Sequence, residues 1–336
     1  MTVPRSRLTA AALALCAGLA LTACTSEAEA PATPSEDETT AEEAAEEPEA
    51  QALRIGFIPP TMSVPAFQGL AAGLEGAGSE FGDTVVTAEA NFDPVTQIQT
   101  IEQWVQLGQI DALWVIPVAA DTLTPVIEQA QEAGIVVIAG GLPVDYGMDE
   151  AEPGVTFSNV DNTAYGEGIG TLMAECVAER LDGVAEVLFV ANAQVQSGAA
   201  LINEGALAAF AAEAPDATIV QQVDAKEERA ADQTLIQTAL QANPGANGLF
   251  TGDAESTMAA VNAFTNAGAD PTTLCIVGNG GTEEQTAAIE AGTLFGVVSF
   301  DFMGDMGQNL AELHTLAADP TAPGRVLTTP ISLQRG

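Results

Sequence analysis

Residues 91–141 read "NFDPVTQIQTIEQWVQLGQIDALWVIPVAADTLTPVIEQAQEAGIVVIAGG". Asp93 stands before Pro94, pairing an N-cap side chain with a proline at the first helical position, and Pro94 to Leu107 follows as a helix. "ALWVIPV" is then a short apolar run. Asp121 to Ala133 is a second helix, stopped by Gly134, and "GIVVIAG" is a second run. Strands apolar at consecutive positions are buried on both faces, and strands alternating with helices make parallel βαβ units.

The alternation continues outward in both directions. "LRIGFIP" and "TVVTAEA" precede the stretch; "GVTFSNV", "AEVLFVAN", "ATIVQQVD", "NGLFTGD", "LCIVGNG" and "FGVVSFD" follow it. So many strands exceed one comfortable open sheet, and residues 53–336 reach the size at which a single core splits. We therefore expect two doubly wound α/β lobes, the first taking the strands up to "GIVVIAG" and the second starting near Asn162. Ligands of open α/β sheets collect beyond the carboxyl ends of the strands, so facing lobes enclose a cleft.

Residues 1–23 have the form of a secretory signal peptide, with Arg5 and Arg7 ahead of an alanine- and leucine-rich run from Leu8 to Ala20. Leu21-Thr22-Ala23-Cys24 resembles the lipobox of bacterial lipoproteins, in which the peptide is cut before a cysteine that carries diacylglycerol. That resemblance implies a lipid anchor at Cys24 and a place on the outer face of the cell membrane. The other reading is a secreted protein with a chance cysteine. Residues 24–52 are rich in Glu, Pro, Ser and Thr without apolar periodicity, and read as an acidic, disordered tether extended by its own charge.

Composition narrows the partners. The 336 residues carry 8 Lys+Arg against 47 Asp+Glu, a net charge of −39. Phosphate backbones need a basic footprint, so nucleic acid is excluded as a partner. Arg54, Lys226 and Arg229 are the basic residues placed to approach a cleft, too few to serve a strongly anionic ligand. His314 is the single histidine, within "NLAELHTLAAD", where it reads as a surface or packing position. No HExxH, GxSxG or GK[ST] is present, and the glycine-rich "GEGIGT" lies within a helical pattern. No catalysis, metal or cofactor is expected. Of the 4 cysteines, setting aside the signal peptide and the lipidated residue leaves Cys176 and Cys275; sequence leaves their pairing open.

The colinear series "RIGFIP…VPAFQGLAAGLE", residues 91–141, "SNVDNTAYGEGIGTLMAE", "NGLFTGDAESTMAAVNAFTNAG" and "IVGNGGTEEQTAAIEAGTLFGVVSFDF" resembles the type I periplasmic sugar-binding proteins of ABC transporters. The likeness is nearest to the ribose, rhamnose and autoinducer binders. It implies crossovers near Ser158–Asp161, Ser299–Asp301 and Arg325–Thr329, with one lobe of residues 53–160 plus 302–325 and another of 161–301 plus 326–336.

Carried over by position, the resemblance places ligand contacts at Phe67, Gly141, Asn192, Gln196, Asn203, Asp253, Asn279, Phe300 and Asp301. Several of these depart from the sugar binders. An Asp-Arg pair is replaced by Gly141-Leu142, an aspartate by Gly280, and a polar residue by Phe300. Asp253 reads equally as a polyol handle or as an N-cap, Asp301 as a contact or a hinge cap, Phe67 as a stacking face or a helix staple, and Asn279 as a contact or a turn residue.

The expected ligand is a small neutral solute, less densely hydroxylated than ribose or bulkier, with an apolar face on Phe67 and Phe300. The chain is expected to be monomeric, to close its lobes on the ligand, and to hand it to an ABC transporter permease. Presentation of the ligand to a sensor kinase or chemoreceptor is the other reading.

Overall fold

The computed structural model describes residues 51–192 and 198–336. The expected signal peptide, Cys24, all but the last two residues of the expected tether, and Gln196 lie outside them.

Five strands, β1 (Arg54–Ile58), β2 (Thr84–Thr87), β3 (Ala112–Val115), β4 (Val136–Gly140) and β5 (Val155–Asn159), alternate with helices α1 (Pro65–Glu80), α2 (Pro94–Gln106) and α3 (Thr124–Glu132). Five more, β6 (Glu186–Ala191), β7 (Thr218–Asp224), β8 (Gly248–Thr251), β9 (Cys275–Asn279) and β10 (Gly296–Phe300), alternate with α4 (Asn162–Arg180), α5 (Ala199–Glu213), α6 (Arg229–Ala242), α7 (Ala254–Asn266) and α8 (Glu283–Glu290). The chain ends with α9 (Phe302–Ala318), β11 (Arg325–Thr328) and β12 (Ile331–Arg335).

The strands form two sheets with one order used twice, β2-β1-β3-β4-β5-β11 and β7-β6-β8-β9-β10-β12. The first sheet is wholly parallel; in the second, β12 runs antiparallel to β10. Both architectures are the expected doubly wound α/β lobes.

Burial on both sheet faces explains the unbroken apolar runs. In β3, Leu113 and Val115 pack with α2 and α3, while Ala112 and Trp114 face the cluster that includes α1 and α9. In β6, Val187 and Phe189 face the α4/α5 side and Leu188 and Val190 the opposite one. Side chains alternate across a strand, so a strand sandwiched between helices is apolar at every position.

Local chemistry sets the helix boundaries. Asp93 caps α2 by accepting the Val95 N–H at 2.9 Å, as expected. The helix expected over Asp121–Ala133 is instead a 3₁₀ turn at Ala120–Thr122 followed by α3. Pro125 is the physical reason: without an N–H it tolerates only the first turn of a helix. In α2, the fully buried Gln97 donates to the carbonyl of Ile116 at 2.8 Å and accepts the Val118 N–H at 2.9 Å, fixing the chain where it leaves β3.

The glycines of "GEGIGT" serve packing between α4 and α5. A Cβ on Gly166 would lie 2.2 Å from the carbonyl oxygen of Ile202, and one on Gly170 2.2 Å from that of Ala206. Cys176 on α4 is bonded to Cys275 on β9, with Cα atoms 5.6 Å apart. The pairing left open by sequence is therefore made, tying a helix to the strand beneath it.

The chain passes between the sheets three times: from β5 to α4, from β10 to α9, and from β11 to β12. The third passage corrects the expected boundary. Residues 326–328 pair with Phe157–Asn159 of β5, so they belong to the first sheet and the chain leaves it only after Thr328.

Candidate functional site

A cavity of about 430 Å³ lies beyond the carboxyl ends of β3, β4 and β5. Trp114 and Ile116 line it from the end of β3, Gly140 and Gly141 from β4, and Asn159 from β5. Phe67 and Leu70 of α1 and Phe302 and Asp305 of α9 close its sides; Asn162, opening α4, reaches it from the second lobe. Its floor is largely apolar. Trp114 is buried and meets Phe57 edge-on, with ring centroids 5.5 Å apart.

The turn after β4 is shaped for close approach. Gly141 has φ of +108°, a region that L side chains rarely adopt, and a Cβ there would meet Asp145 Oδ2 at 2.9 Å. That oxygen accepts the Leu142 N–H at 2.8 Å. Tyr146 donates its hydroxyl to the Gly140 carbonyl at 2.8 Å. Burial, helped by the Asp145 charge, pushes the Tyr146 phenol up, so it stays a neutral donor.

Of the nine expected contacts, Phe67 and Gly141 line this cavity. Phe300 and Asp301 border a neighbouring depression with Gly280, Ser299 and Phe302. Phe300 stacks on Tyr165, centroids 4.3 Å apart, rather than facing the cavity; Phe302 and Trp114 supply the aromatic surface beside Phe67. Asp301 is the N-cap of α9, accepting the Gly304 N–H at 2.8 Å.

Asn192, Asp253 and Asn279 stand at the carboxyl ends of the second sheet and Asn203 on α5, while Gln196 lies outside the described residues. Asp253 caps α7 by accepting the Ser256 N–H at 2.7 Å. The Thr257 hydroxyl lies 2.7 Å from the Asp253 carbonyl and 3.1 Å from that of Asn279, linking the two strand ends. Tyr165 sits close enough to Asp253 for its phenol to be raised first by burial and then by that charge. Asn203 is engaged with main chain: its Oδ1 accepts the Asn192 N–H at 2.9 Å and its Nδ2 donates to the Asn192 carbonyl at 3.3 Å.

Trp114, Ser158, Asn159, Asp145, Phe302 and Asp305 were not anticipated as site residues. Trp114 reads as core because it lies inside an apolar run. Asp145 and Asp305 carried a usable signal: the first follows a strand end by a few residues, and the second repeats Asp301 one helical turn on.

No guanidinium serves the cavity among the described residues. Arg54, at the opposite end of β1, pairs with Asp111 at 2.6 Å, which overturns its expected approach to the cleft. Arg229 is bound to Glu255 and Glu284, Arg325 to Glu312, and Arg335 to Glu175 and Glu179. Arg180 donates to the carbonyls of Leu274 and Gly292. The acidic side is crowded instead: burial, then Asp253, then Asp232 hold the Glu227 carboxyl above its ordinary range.

Comparison with known proteins follows this geometry. A family model described as periplasmic binding protein domain matches residues 55–318. The ribose import binding protein of Bacillus subtilis (strain 168) is 24% identical over 278 residues, covering 83% of this chain and 84% of that one. An ABC transporter periplasmic solute binding protein of Actinobacillus succinogenes 130z, solved with bound D-allose, superimposes with a TM-score of 0.65 at 20% identity, covering 84% of this chain and 97% of that chain. The Caulobacter myo-inositol binding protein, solved with myo-inositol, gives 0.61 at 20% identity, covering 84% and 93%. At these identities the solved structures show the fold.

Proposed function

The chain belongs to the periplasmic binding protein domain family, and from that membership we propose that it is a lipid-anchored, extracytoplasmic solute-binding protein that captures a small neutral polyol-like ligand for an ABC transporter permease. It is a binding protein and not an enzyme. The observation carrying the ligand class is the cavity of about 430 Å³, floored by Trp114, Phe67 and Phe302 and edged by Asp145, Asn159 and Asn162.

Aromatic faces cover the C–H surface of a sugar-like ring, while carboxylates and amides pair with hydroxyls. Each buried hydroxyl left unpaired costs about 1–3 kcal/mol, so the few polar groups here suit a ligand with few hydroxyls or one apolar face. An anion would meet carboxylates with no arginine among the described residues to answer them.

Capture works by closure. Two lobes joined by three passages exchange between arrangements, and a ligand touching both stabilises the closed one by its differential affinity. A micromolar Kd corresponds to about 8 kcal/mol, part of which is consumed in closing the lobes. The Cys24 anchor and the acidic tether hold the lobes near the permease, raising the local concentration of loaded protein.

Titration calorimetry with D-ribose, D-allose, myo-inositol, glycerol and D-ribose 5-phosphate tests the ligand class. Micromolar binding of a neutral member, weakened at least tenfold by Phe67→Ala, is the expected result. Preferential binding of the phosphate ester would overturn it.

A further inference from the structure

Asp305 lies at the meeting point of all three passages. It is buried, on the first turn of α9 just after the second passage, and it lines the cavity. From the strand before the first passage, the Ser158 hydroxyl approaches its two oxygens at 3.3 and 3.5 Å. Gln308 Nε2 lies 2.9 Å from Asp305 Oδ1 and 3.0 Å from the Thr328 carbonyl, the last residue before the third passage. Asn309 Nδ2 completes the set, 3.1 Å from Asp305 Oδ2 and 3.0 Å from Ser158 Oγ.

A carboxylate accepts at both oxygens, and here both are used by donors from β5 and α9, with Gln308 also donating to the Thr328 carbonyl ahead of the third passage. The arrangement is not saturated. Asn309 Oδ1 is buried with no hydrogen-bond partner among the described residues. The amide cannot simply be turned over, because its nitrogen would leave two acceptors and its oxygen would meet the carboxylate. A buried acceptor left unpaired carries its desolvation cost, so an arrangement of the passages that brought a donor to it would be favoured by that much at this place.

We propose that Asp305 is the positioning residue of the hinge, setting the balance between the lobe arrangements while its carboxylate borders the ligand cavity. The proposal rests on the closing mechanism given above, but its test does not depend on which solute is bound. Asp305 holds the passages in register through Ser158, Gln308 and Asn309. Its removal redistributes the lobes without dismantling either core.

The test is pulsed electron–electron resonance between labels placed through unnatural amino acids at exposed Gln106 of α2 and Asn266 of α7, in the full chain without ligand. Asp305→Asn removes one acceptor and sets an amide N–H against donors. We expect it to broaden or shift the interlobe distance distribution, and Ser158→Ala to shift it the same way by less. Asp305→Asn with Asn309→Asp restores a donor–acceptor match and should bring the wild-type distribution back. For any neutral solute that binds, the apparent Kd should move in proportion to the competent fraction, roughly 3–10-fold. A folded Asp305→Asn protein with an unchanged distribution overturns the proposal; if that variant does not fold, an unchanged distribution in Ser158→Ala overturns it. If no solute in the panel binds, the ligand reading fails while the distances still decide the role of Asp305.

Discussion

His314 Nε2 lies 2.9 Å from Asp83 Oδ2, joining the chain's one histidine to a carboxylate whose side chain is 0% exposed. The other oxygen of Asp83 accepts the Leu53 N–H at 2.8 Å, and the imidazole rests on Phe81 with ring centroids 4.8 Å apart. The pair ties α9 to the turn between α1 and β2, beside the residue where the first strand begins. Replacing His314 by Ala leaves one oxygen of a buried carboxylate without its partner. We expect a loss of about 1–3 kcal/mol in urea unfolding, with most of it recovered by His314→Gln. A loss below about 0.5 kcal/mol would show the contact to be incidental.

The bond between Cys176 and Cys275 closes a sequence separation of 99 residues within the second lobe. Constraining so long a loop restricts the unfolded chain, and its loss is expected to cost about 2–5 kcal/mol. Cys176→Ser with Cys275→Ser should therefore melt lower, and reductant should lower the wild type to the same point. Identical melting with and without reductant would contradict this.

The two tryptophans stand on opposite sides of the first sheet, Trp104 on α2 in the cluster shared with α3 and Trp114 at the cavity. Ligand binding should change the emission of Trp114 alone. Titration of the Trp104→Phe variant should keep the fluorescence change, and Trp114→Phe should lose it. A signal that survives in Trp114→Phe places the ligand elsewhere.

Burial holds the Asp305 carboxyl above its ordinary value against the hydrogen bonds that lower it. Between the unfolded value near 3.8 and the raised native one, the folded chain holds more proton than the unfolded chain. Stability contributed by that proton is present at low pH and is lost as pH rises through the native pKa. Subtracting the stability profile of Asp305→Asn from that of the wild type should give a difference that falls with rising pH in that window and is flat above it. A difference rising with pH would mean the group is depressed, not raised.

Cys24→Ala is expected to leave the protein in the soluble fraction with ligand affinity unchanged, measured by fractionation and calorimetry. Persistence on membranes after that change would overturn the proposed lipid anchor at Cys24.

Ten strands were legible: eight are buried along most of their length, which writes an apolar run into the chain, while β2 and β7 are partly exposed edge strands that still follow the alternation with helices. β11 and β12 were not, since "RVLT" and "ISLQR" lie at sheet edges with most of their residues exposed and carry no such signature. The caps Asp93, Asp253 and Asp301 were readable from an acidic side chain ahead of a helix. Sequence could not say whether their carboxylates also face a ligand. The Cys176–Cys275 bond depends on distance, which spacing along a chain does not reveal. Asn203 shows the converse limit: its residue type suits a ligand contact, yet its amide is engaged by the main chain of Asn192.

Because the passages interleave the lobes, the first lobe cannot be finished from one continuous length of polypeptide. Met306, Leu310, Leu313 and Leu316 of α9 fill one face of its sheet, and they emerge only after all of the second lobe except β12 has been made. During synthesis that face stays bare, so the nascent chain is kept short of a locked tertiary state until nearly its last residues. The order of the segments thus sets a delay between the making of the first sheet and the sealing of its face.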